Sequence, residues 1–141
     1  MESPGWPVCV RARGAHVLIV DDDVMVRTLM ATLLEKMGCQ CEGVATGADA
    51  SASVARATAE GQPLDIVLLD RNLAHESGED LCRRLRSEGL DAPVVAMSGD
   101  GFTLDARLRE AGFDAAMKKP FSMEELHACV EGNVGRKHGI Y

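Results

Sequence analysis

The stretch Leu64-Asp65-Ile66-Val67-Leu68-Leu69-Asp70 contains four consecutive apolar residues that run directly into an aspartate. A short apolar run of this kind, between Pro63 and Arg71, is typical of a strand buried on both faces of a parallel sheet. The pattern places Asp70 at the carboxyl end of a central strand. In open α/β sheets ligands bind at that edge, and a carboxylate there needs a cation or hydrogen-bond donors nearby.

Four further strands and five helices alternate with this strand along the chain. The other strands are predicted at Val17–Val20, Cys39–Ala45, Pro93–Met97 and Phe113–Met117. Apolar residues recur at helical spacing in five segments, which begin near Val26, Thr46, Ser77, Phe102 and Met123. This alternation predicts an α/β fold in which one parallel sheet is covered on both faces and the crossovers are right-handed.

Three predicted helices open with a hydroxyl three residues before an acid, at Thr46/Asp49, Ser77/Asp80 and Ser122/Glu125. That is the spacing of a capping box, so we interpret Ser77 and Ser122 as helix caps and not as catalytic hydroxyls. Asp23 is interpreted in the same way, as the cap of the first helix.

The composition indicates one cytoplasmic domain. A length of 141 residues favours a single domain, and a net charge of −7 argues against nucleic acid as a direct partner. Five cysteines without a C-x-x-C pair favour neither a disulfide framework nor a zinc site, and we interpret Cys39 and Cys41, which alternate along a predicted strand, as small apolar groups. The chain lacks an apolar run of the ~18 residues that a membrane span needs. We expect a loose leader over residues 1–14, the domain over 15–131 and a short tail over 132–141.

Polar side chains follow the predicted strands at one edge of the sheet. Asp21 and Asp22 follow the first strand, Asp70 ends the third, Ser98 follows the fourth and Lys119 the fifth. Because parallel strands present their carboxyl ends at the same edge, we expect these side chains to converge. Crowded carboxylates repel one another, and oxygen ligands without histidine or cysteine favour Mg²⁺ or a similar hard ion.

The same set of side chains suits phosphoryl transfer. Mg²⁺ usually takes only one or two carboxylates, which leaves Asp70 able to act as a nucleophile toward a phosphoryl group. Lys119 and Ser98 are suited to hold phosphoryl oxygens. Each of these residues alone is common in turns or on solvated surfaces, so the interpretation depends on their joint arrangement.

At this point the sequence resembles the CheY-like receiver domain of two-component response regulators. The matching stretches are Val17–Asp23, Asp65–Asp70, Pro93–Gly99 and Lys119–Phe121, together with Gly78. The resemblance covers about residues 15–131. It implies the flavodoxin-like (βα)5 doubly wound sheet with strand order 2-1-3-4-5 that CheY has.

The resemblance also implies roles at the strand ends. Asp70 looks like the phospho-acceptor, which would receive a phosphoryl group from a phosphohistidine. Asp21 and Asp22 look like the acidic pair that holds Mg²⁺, with Mn²⁺ as the alternative ion. The main-chain carbonyl of Asn72 looks like a further metal ligand, and Asp70 completes the set.

Ser98 resembles the switch hydroxyl of the family and Lys119 its invariant-type lysine, whose bond to Pro120 is usually cis. Two residues depart from the family pattern. Ala116 stands where the family usually has tyrosine or phenylalanine, so the usual coupled movement of hydroxyl and ring cannot operate in that form. Ala74 replaces a common proline after the acceptor.

The resemblance implies a stand-alone signalling module that catalyses only its own phosphorylation and dephosphorylation. The expected partners are a histidine kinase or histidine phosphotransfer protein and a downstream protein target, without direct nucleic acid or membrane contact. A homodimer through the fourth helix, fifth strand and fifth helix is left open. Asn72 and Asp100 occupy positions that tune hydrolysis of the aspartyl-phosphate in the family.

Two other functions remain as alternatives. One is a receiver-like interaction module that partners read regardless of phosphorylation, which the missing aromatic at Ala116 keeps open. The other is a haloacid-dehalogenase-like phosphatase with Asp21 as nucleophile. Against the phosphatase, the run Asp21-Asp22-Asp23-Val24-Met25 does not end as the D-x-D-x-[TV] pattern of that family does.

Overall fold

The computed structural model describes residues 5–99 and 104–135, and within them strands and helices alternate. The strands are β1 His16–Val20, β2 Gln40–Val44, β3 Ile66–Asp70, β4 Val94–Ser98 and β5 Ala115–Lys118. The helices are α1 Val24–Lys36, α2 Gly47–Ala59, α3 Gly78–Ser87, α4 Ala106–Ala111 and α5 Met123–Asn133. The strands pair in parallel in the order β2-β1-β3-β4-β5, which confirms the flavodoxin-like prediction.

The central strand β3 separates two apolar cores because its side chains alternate between the two faces of the sheet. Ile66 and Leu68 pack in the core that α1 and α5 cover, whereas Val67 and Leu69 pack in the core beneath α2, α3 and α4. Every residue of β3 is buried, and Asp70 is its last residue. The sheet therefore holds the Asp70 backbone rigidly at its carboxyl edge.

Several elements begin or end one or more residues away from the predicted positions, and β3, α4 and β5 differ at their first residue. β3 begins at Ile66 and not at Leu64, and the Asp65 carboxylate before it accepts the backbone N–H of His16 at 2.7 Å. α4 begins at Ala106, where Asp105 caps the helix by accepting the N–H of Leu108. The predicted start of that helix, Phe102, lies outside the described residues. β5 begins at Ala115 and not at Phe113, whose N–H still bonds to Leu108 at the end of α4.

The predicted helix caps are confirmed. Asp23 accepts the N–H groups of the first turn of α1, and Thr46 and Ser77 cap α2 and α3. Ser122 and Glu125 form a complete capping box at the start of α5. No helix in the described part of the chain is long and apolar enough to cross a bilayer.

The prediction of a loose leader is wrong for residues 8–14, which we call the N-terminal strap. Cys9 and Ala12 are almost fully buried against α1 and α5. The N–H of Cys9 donates to the carbonyl of Met37 at 2.8 Å, and the N–H of Gly14 donates to that of Gly38 at 2.7 Å. The strap packs without regular secondary structure, so no periodic pattern in the sequence announces it.

Glu131 fixes the strap to the last turn of α5. Its carboxylate accepts the N–H of Ala12 at 2.6 Å and also bonds to the N–H groups of Val10 and Arg11. Loss of water favours the neutral acid, but these three donors outweigh it and lower the pKa of Glu131. The packed body also includes Val134, so it extends beyond the predicted domain end at residue 131.

The five cysteines are free thiols that are buried or half-buried, and for Cys39 and Cys41 this agrees with the prediction of small apolar groups. Cys9 and Cys39 approach most closely, with their sulfurs 4.0 Å apart. Burial is the main cause that raises the pKa of Cys9, Cys41 and Cys82 to about 12. Thiols that are so weakly acidic are poor nucleophiles.

Candidate functional site

Three carboxylates meet at the carboxyl edge of the sheet. Asp21 and Asp22 lie in the turn between β1 and α1, and Asp70 ends the neighbouring strand β3. One carboxylate oxygen from each lies within 4.8 Å of the other two. Asp21 and Asp70 are buried, whereas Asp22 is exposed to solvent. An all-oxygen donor set with one solvent-facing member fits Mg²⁺, which keeps several waters when a protein binds it.

Lys119 places its ammonium between two of these carboxylates. Its Nζ donates to Asp21 Oδ2 at 2.6 Å and lies 3.5 Å from Asp70 Oδ2. Lys119 follows β5, and its own N–H donates to the carbonyl of Ser98 at 2.7 Å. The bond to Pro120 is cis, as the family resemblance implies.

Asp70 is less acidic in this site than in solution. Burial is the main cause that raises its pKa, and the nearby charge of Asp21 acts in the same direction. The N–H of Asn72, which donates to Asp70 Oδ1 at 3.0 Å, and the ammonium of Lys119 act against these effects without cancelling them. The positive charge around Asp70 is therefore too small to stabilise its ionised carboxylate fully.

In contrast to Asp70, Lys119 is favoured in its charged form. Burial disfavours its charged form, but the hydrogen bond and negative charge of Asp21, followed by those of Asp70, outweigh burial and raise the pKa of Lys119. The side chain thus stays protonated at neutral pH. A fixed ammonium next to Asp70 can stabilise negative charge that develops on a group attached there.

Ser98 ends β4 and is completely buried. The β3–β4 register pairs Asp70 with Met97, which places Ser98 one residue further toward the carboxyl edge. Ser98 therefore lies at the same edge as the acidic cluster. Asp100, which the sequence places two residues later, lies outside the described residues.

Gly78 lets the loop after Asp70 pack tightly against the start of α3. Its N–H donates to the carbonyl of Arg71 at 2.8 Å. A Cβ at this position would lie 2.7 Å from the Arg71 Cα and 2.8 Å from the Asp70 carbonyl oxygen. Both contacts are with backbone atoms, so a larger residue must displace the backbone that carries Asp70.

Ala116 lies in β5 beside Ala96 and is half-buried. Ala74 lines a cavity of about 340 Å³ together with Asp22, His75 and Glu76. This cavity opens next to the acidic cluster, so a small molecule has room to approach Asp22 from that side.

Arg27 contacts the site, although no pattern in the sequence indicates this. Its Nη1 donates to the main-chain carbonyl of Asp21 at 2.7 Å. A main-chain acceptor leaves no pattern of residue types, and an arginine on a partly exposed helix is common. No signal in one sequence identifies this contact.

Comparisons with known proteins identify the family. The model of the response regulator receiver domain matches residues 17–131. The transcriptional regulatory protein TcrA of Mycobacterium tuberculosis is 33% identical over 124 residues, which are 85% of this chain and 46% of that protein. The sensor histidine kinase RcsC of Salmonella typhi is 32% identical over 111 residues, 78% of this chain and 11% of that protein.

A solved structure supports the same assignment. The CheY-like receiver domain of a response regulator from Methylobacillus flagellatus is 28% identical, with a TM-score of 0.71 over 84% of this chain and 97% of that one. The chain spans less than half of the length of the two relatives above. The matched residues include both acidic strand ends, Lys119 and every strand residue except His16, and the chain belongs to the response regulator receiver domain family.

Proposed function

We propose that this chain accepts a phosphoryl group on Asp70 from a phosphohistidine of a histidine kinase or histidine phosphotransfer protein. The observation that carries the proposal is the meeting of three carboxylates with the Lys119 ammonium at the carboxyl edge of the sheet. As a receiver domain, the chain is a signalling module and not a metabolic enzyme.

Asp70 is the nucleophile in this proposal. One of its carboxylate oxygens attacks the phosphorus, the P–N bond to the donor histidine breaks, and the imidazole leaves with the bonding electrons. The Asn72 N–H holds Asp70 Oδ1, while Oδ2 faces Lys119. In this proposal Lys119 and the Ser98 hydroxyl hold phosphoryl oxygens.

Asp21, Asp22, Asp70 and the main-chain carbonyl of Asn72 would hold a divalent ion, Mg²⁺ or Mn²⁺. When bound, the ion neutralises the crowded carboxylates and the charge on the transferring group. Ionised Asp70 is the nucleophilic form, and burial together with Asp21 disfavours that form in the metal-free site. The chain's own residues therefore favour occupation by a cation before phosphoryl transfer.

An exposed apolar surface beside the site suits docking of the phosphodonor protein. Met25 is 79% exposed, and Val24 and Leu29 are each 59% exposed on α1. Leu29 also lines a cavity of about 490 Å³ that reaches Lys119 and Phe121. Since a protein docked on this surface reaches Lys119, we assign the surface to the phosphodonor.

The output of the module is a protein–protein contact or onward phosphotransfer. Ala116 excludes the usual movement of an aromatic side chain in β5, so the output differs from the common form of the family. We expect neither nucleic acid nor a membrane to be a direct partner, and we expect a cytoplasmic location. Dimerisation through α4, β5 and α5 stays a prediction for solution measurements.

Asn72 and Asp100 are proposed to shorten the lifetime of the phosphorylated form. A polar side chain at position 72 would assist the approach of water to the phosphoryl group. Replacing Asn72 or Asp100 by alanine should lengthen the lifetime of the phosphoprotein, measured by its decay after donor removal. An unchanged lifetime in both variants would contradict this assignment.

Intact-mass measurement tests the proposed function. The protein is incubated with Mg²⁺ and a small acyl-phosphate donor, together with the variants Asp70→Asn and Asp23→Asn. We expect wild type and Asp23→Asn to gain one labile phosphoryl group and Asp70→Asn to gain none. Asp23→Asn is the matched control because asparagine caps helices as well as aspartate does.

No phosphoryl gain from the small donor or from a phosphorylated histidine donor would favour the phosphorylation-independent module. That alternative predicts a partner affinity that is the same for wild type and Asp70→Asn.

A further inference from the structure

Arg27 reaches from the second turn of α1 to the backbone of the acidic cluster. Its Nη1 donates to the carbonyl oxygen of Asp21 at 2.7 Å, a distance typical of a charge-assisted hydrogen bond. The side chain is half-buried, so the contact is protected from part of the solvent.

Gly43 on the edge strand β2 makes room for this side chain. A Cβ on Gly43 would lie 2.8 Å from the Cγ of Arg27 and 3.1 Å from its Cδ. The stem of Arg27 therefore lies directly across the glycine, where a larger residue would have to displace it. Arg27 and Gly43 form one structural unit that directs the guanidinium to Asp21.

Asp21 is held at each of its polar groups. Its N–H donates to the carbonyl of Val44 at 3.1 Å. Its Oδ1 accepts the N–H of Asp23 at 2.9 Å, and its Oδ2 accepts the Lys119 ammonium at 2.6 Å. The contact from Arg27 engages the remaining group, the main-chain carbonyl.

That carbonyl belongs to the peptide that joins Asp21 to Asp22. Because a peptide unit is planar, a fixed carbonyl also fixes the plane from which the Asp22 backbone departs. Asp22 is the solvent-exposed member of the cluster. Its direction toward the other carboxylates thus depends on the orientation of this peptide.

We propose that Arg27 is a positioning residue that, with Gly43, orients the Asp21–Asp22 peptide and thereby sets the divalent-cation affinity of the acidic cluster. The inference rests on the proposed function because it assigns a role within the same site. Arg27 touches neither the cation nor the phosphoryl group in this assignment, and it acts through the backbone of Asp21.

A magnesium titration followed by ¹⁵N–¹H NMR tests the inference on the full chain. The amide signals of Asp22 and Asn72 report binding without any phosphoryl donor. The variants are Arg27→Ala, Arg27→Lys and Gly43→Ala, and the matched control is Arg56→Ala. Arg56 forms an ion pair with Glu42, which lies on the same edge strand, β2, as Gly43. The pair is exposed to solvent, and no contact between Arg56 and the acidic cluster is described.

We expect Arg27→Ala to weaken Mg²⁺ binding about 10-fold or more, as the loss of outer-shell partners of metal ligands commonly does. Gly43→Ala should weaken binding in the same direction, because it displaces the stem but keeps the guanidinium. Arg27→Lys should restore part of the affinity, since lysine keeps the charge but lacks the planar donor group. Arg56→Ala should bind Mg²⁺ as wild type does.

Thermal unfolding of the metal-free variants distinguishes positioning from general stabilisation. Wild-type Mg²⁺ affinity in Arg27→Ala, or an equal loss in Arg56→Ala, overturns the inference and leaves the proposed function intact. If wild type binds no Mg²⁺ and takes up no phosphoryl group, the proposed function itself fails. Should Arg27→Ala not fold, Gly43→Ala and Arg27→Lys decide the question by the same titration.

Discussion

The protein shifts the pKa values of two carboxyl groups, which lie at opposite edges of the sheet, in opposite directions. Asp70 lies at the carboxyl edge, where its pKa is raised, and Glu131 lies near the amino edge, where its pKa is lowered. Burial disfavours the charge of both groups. The difference comes from the donors and charges that surround them.

Glu131 bonds to three backbone N–H groups, those of Val10, Arg11 and Ala12. Asp70 bonds to one backbone N–H and shares the Lys119 ammonium with Asp21, which holds that ammonium more closely. The hydrogen-bond donors of the chain therefore stabilise the charge of Glu131 at the amino edge, whereas the donors and positive charge at the carboxyl edge do not fully stabilise the charge of Asp70. The proposed binding of a cation and a phosphoryl group at this edge requires such a state, at some loss of stability.

The largest expected effect comes from Asp70→Asn, which should abolish phosphoryl uptake and stabilise the metal-free fold at neutral pH. Because the pKa of Asp70 is raised in the folded protein, ionisation of this carboxyl group destabilises the fold. The free energy of unfolding of wild type therefore falls as the pH rises from below the ordinary value of 3.8 through the raised pKa of the folded state. The stability advantage of Asp70→Asn should therefore appear over that interval. Urea unfolding across this pH range measures it, and a variant less stable than wild type at neutral pH would contradict the comparison.

Gly78→Ala should break the carboxyl edge without touching a carboxylate. The new methyl group would press on the backbone of Asp70 and Arg71, which should cost about 1–3 kcal/mol and slow phosphoryl uptake. Gly132→Ala is the control, since nothing lies within 4 Å of its Cβ position in α5 and alanine favours a helix. If both variants unfold at the same denaturant concentration, the close approach at Gly78 does not matter.

Glu131→Gln should have a smaller effect, of about 1 kcal/mol at neutral pH, because a neutral amide oxygen is a weaker acceptor for the strap. Because the pKa of Glu131 is lowered in the folded protein, its ionised carboxylate stabilises the fold. This stabilisation is fully present above the ordinary value of 4.5 and is lost as the pH falls through the pKa of the folded state. Wild type and variant should therefore become equally stable in acid. Urea unfolding provides the test, with the exposed Glu110→Gln as control.

The sequence predicts the carboxyl edge far better than the amino edge. Asp21, Asp70 and Lys119 follow strands of a parallel sheet, and that topology alone brings their positions together. The burial of Cys9 cannot be predicted in this way, because the strap lacks periodicity and its anchor Glu131 is distant in sequence. The contact of Arg27 with a main-chain carbonyl is hidden for a related reason, since any residue provides such an acceptor.

Gly78 shows what a family resemblance alone leaves out. The resemblance marks the position, but only the packed loop explains it, through two backbone contacts shorter than 3 Å that a side chain would create. The ends of β3 and β5 differ from the predicted ones for a similar local reason. Asp65 makes two hydrogen bonds to His16, and Phe113 makes one to Leu108, but neither residue extends the sheet.

Locating the phosphoryl group on the chain tests the proposed role of Asp70 most directly. The phosphorylated protein is reduced with borohydride, which converts an aspartyl-phosphate to homoserine, and its peptides are then sequenced by mass spectrometry. We predict homoserine at position 70 and unmodified aspartate at positions 21 and 22. Homoserine at position 21, or phosphate that borohydride does not convert, would contradict the assignment of Asp70 as the acceptor.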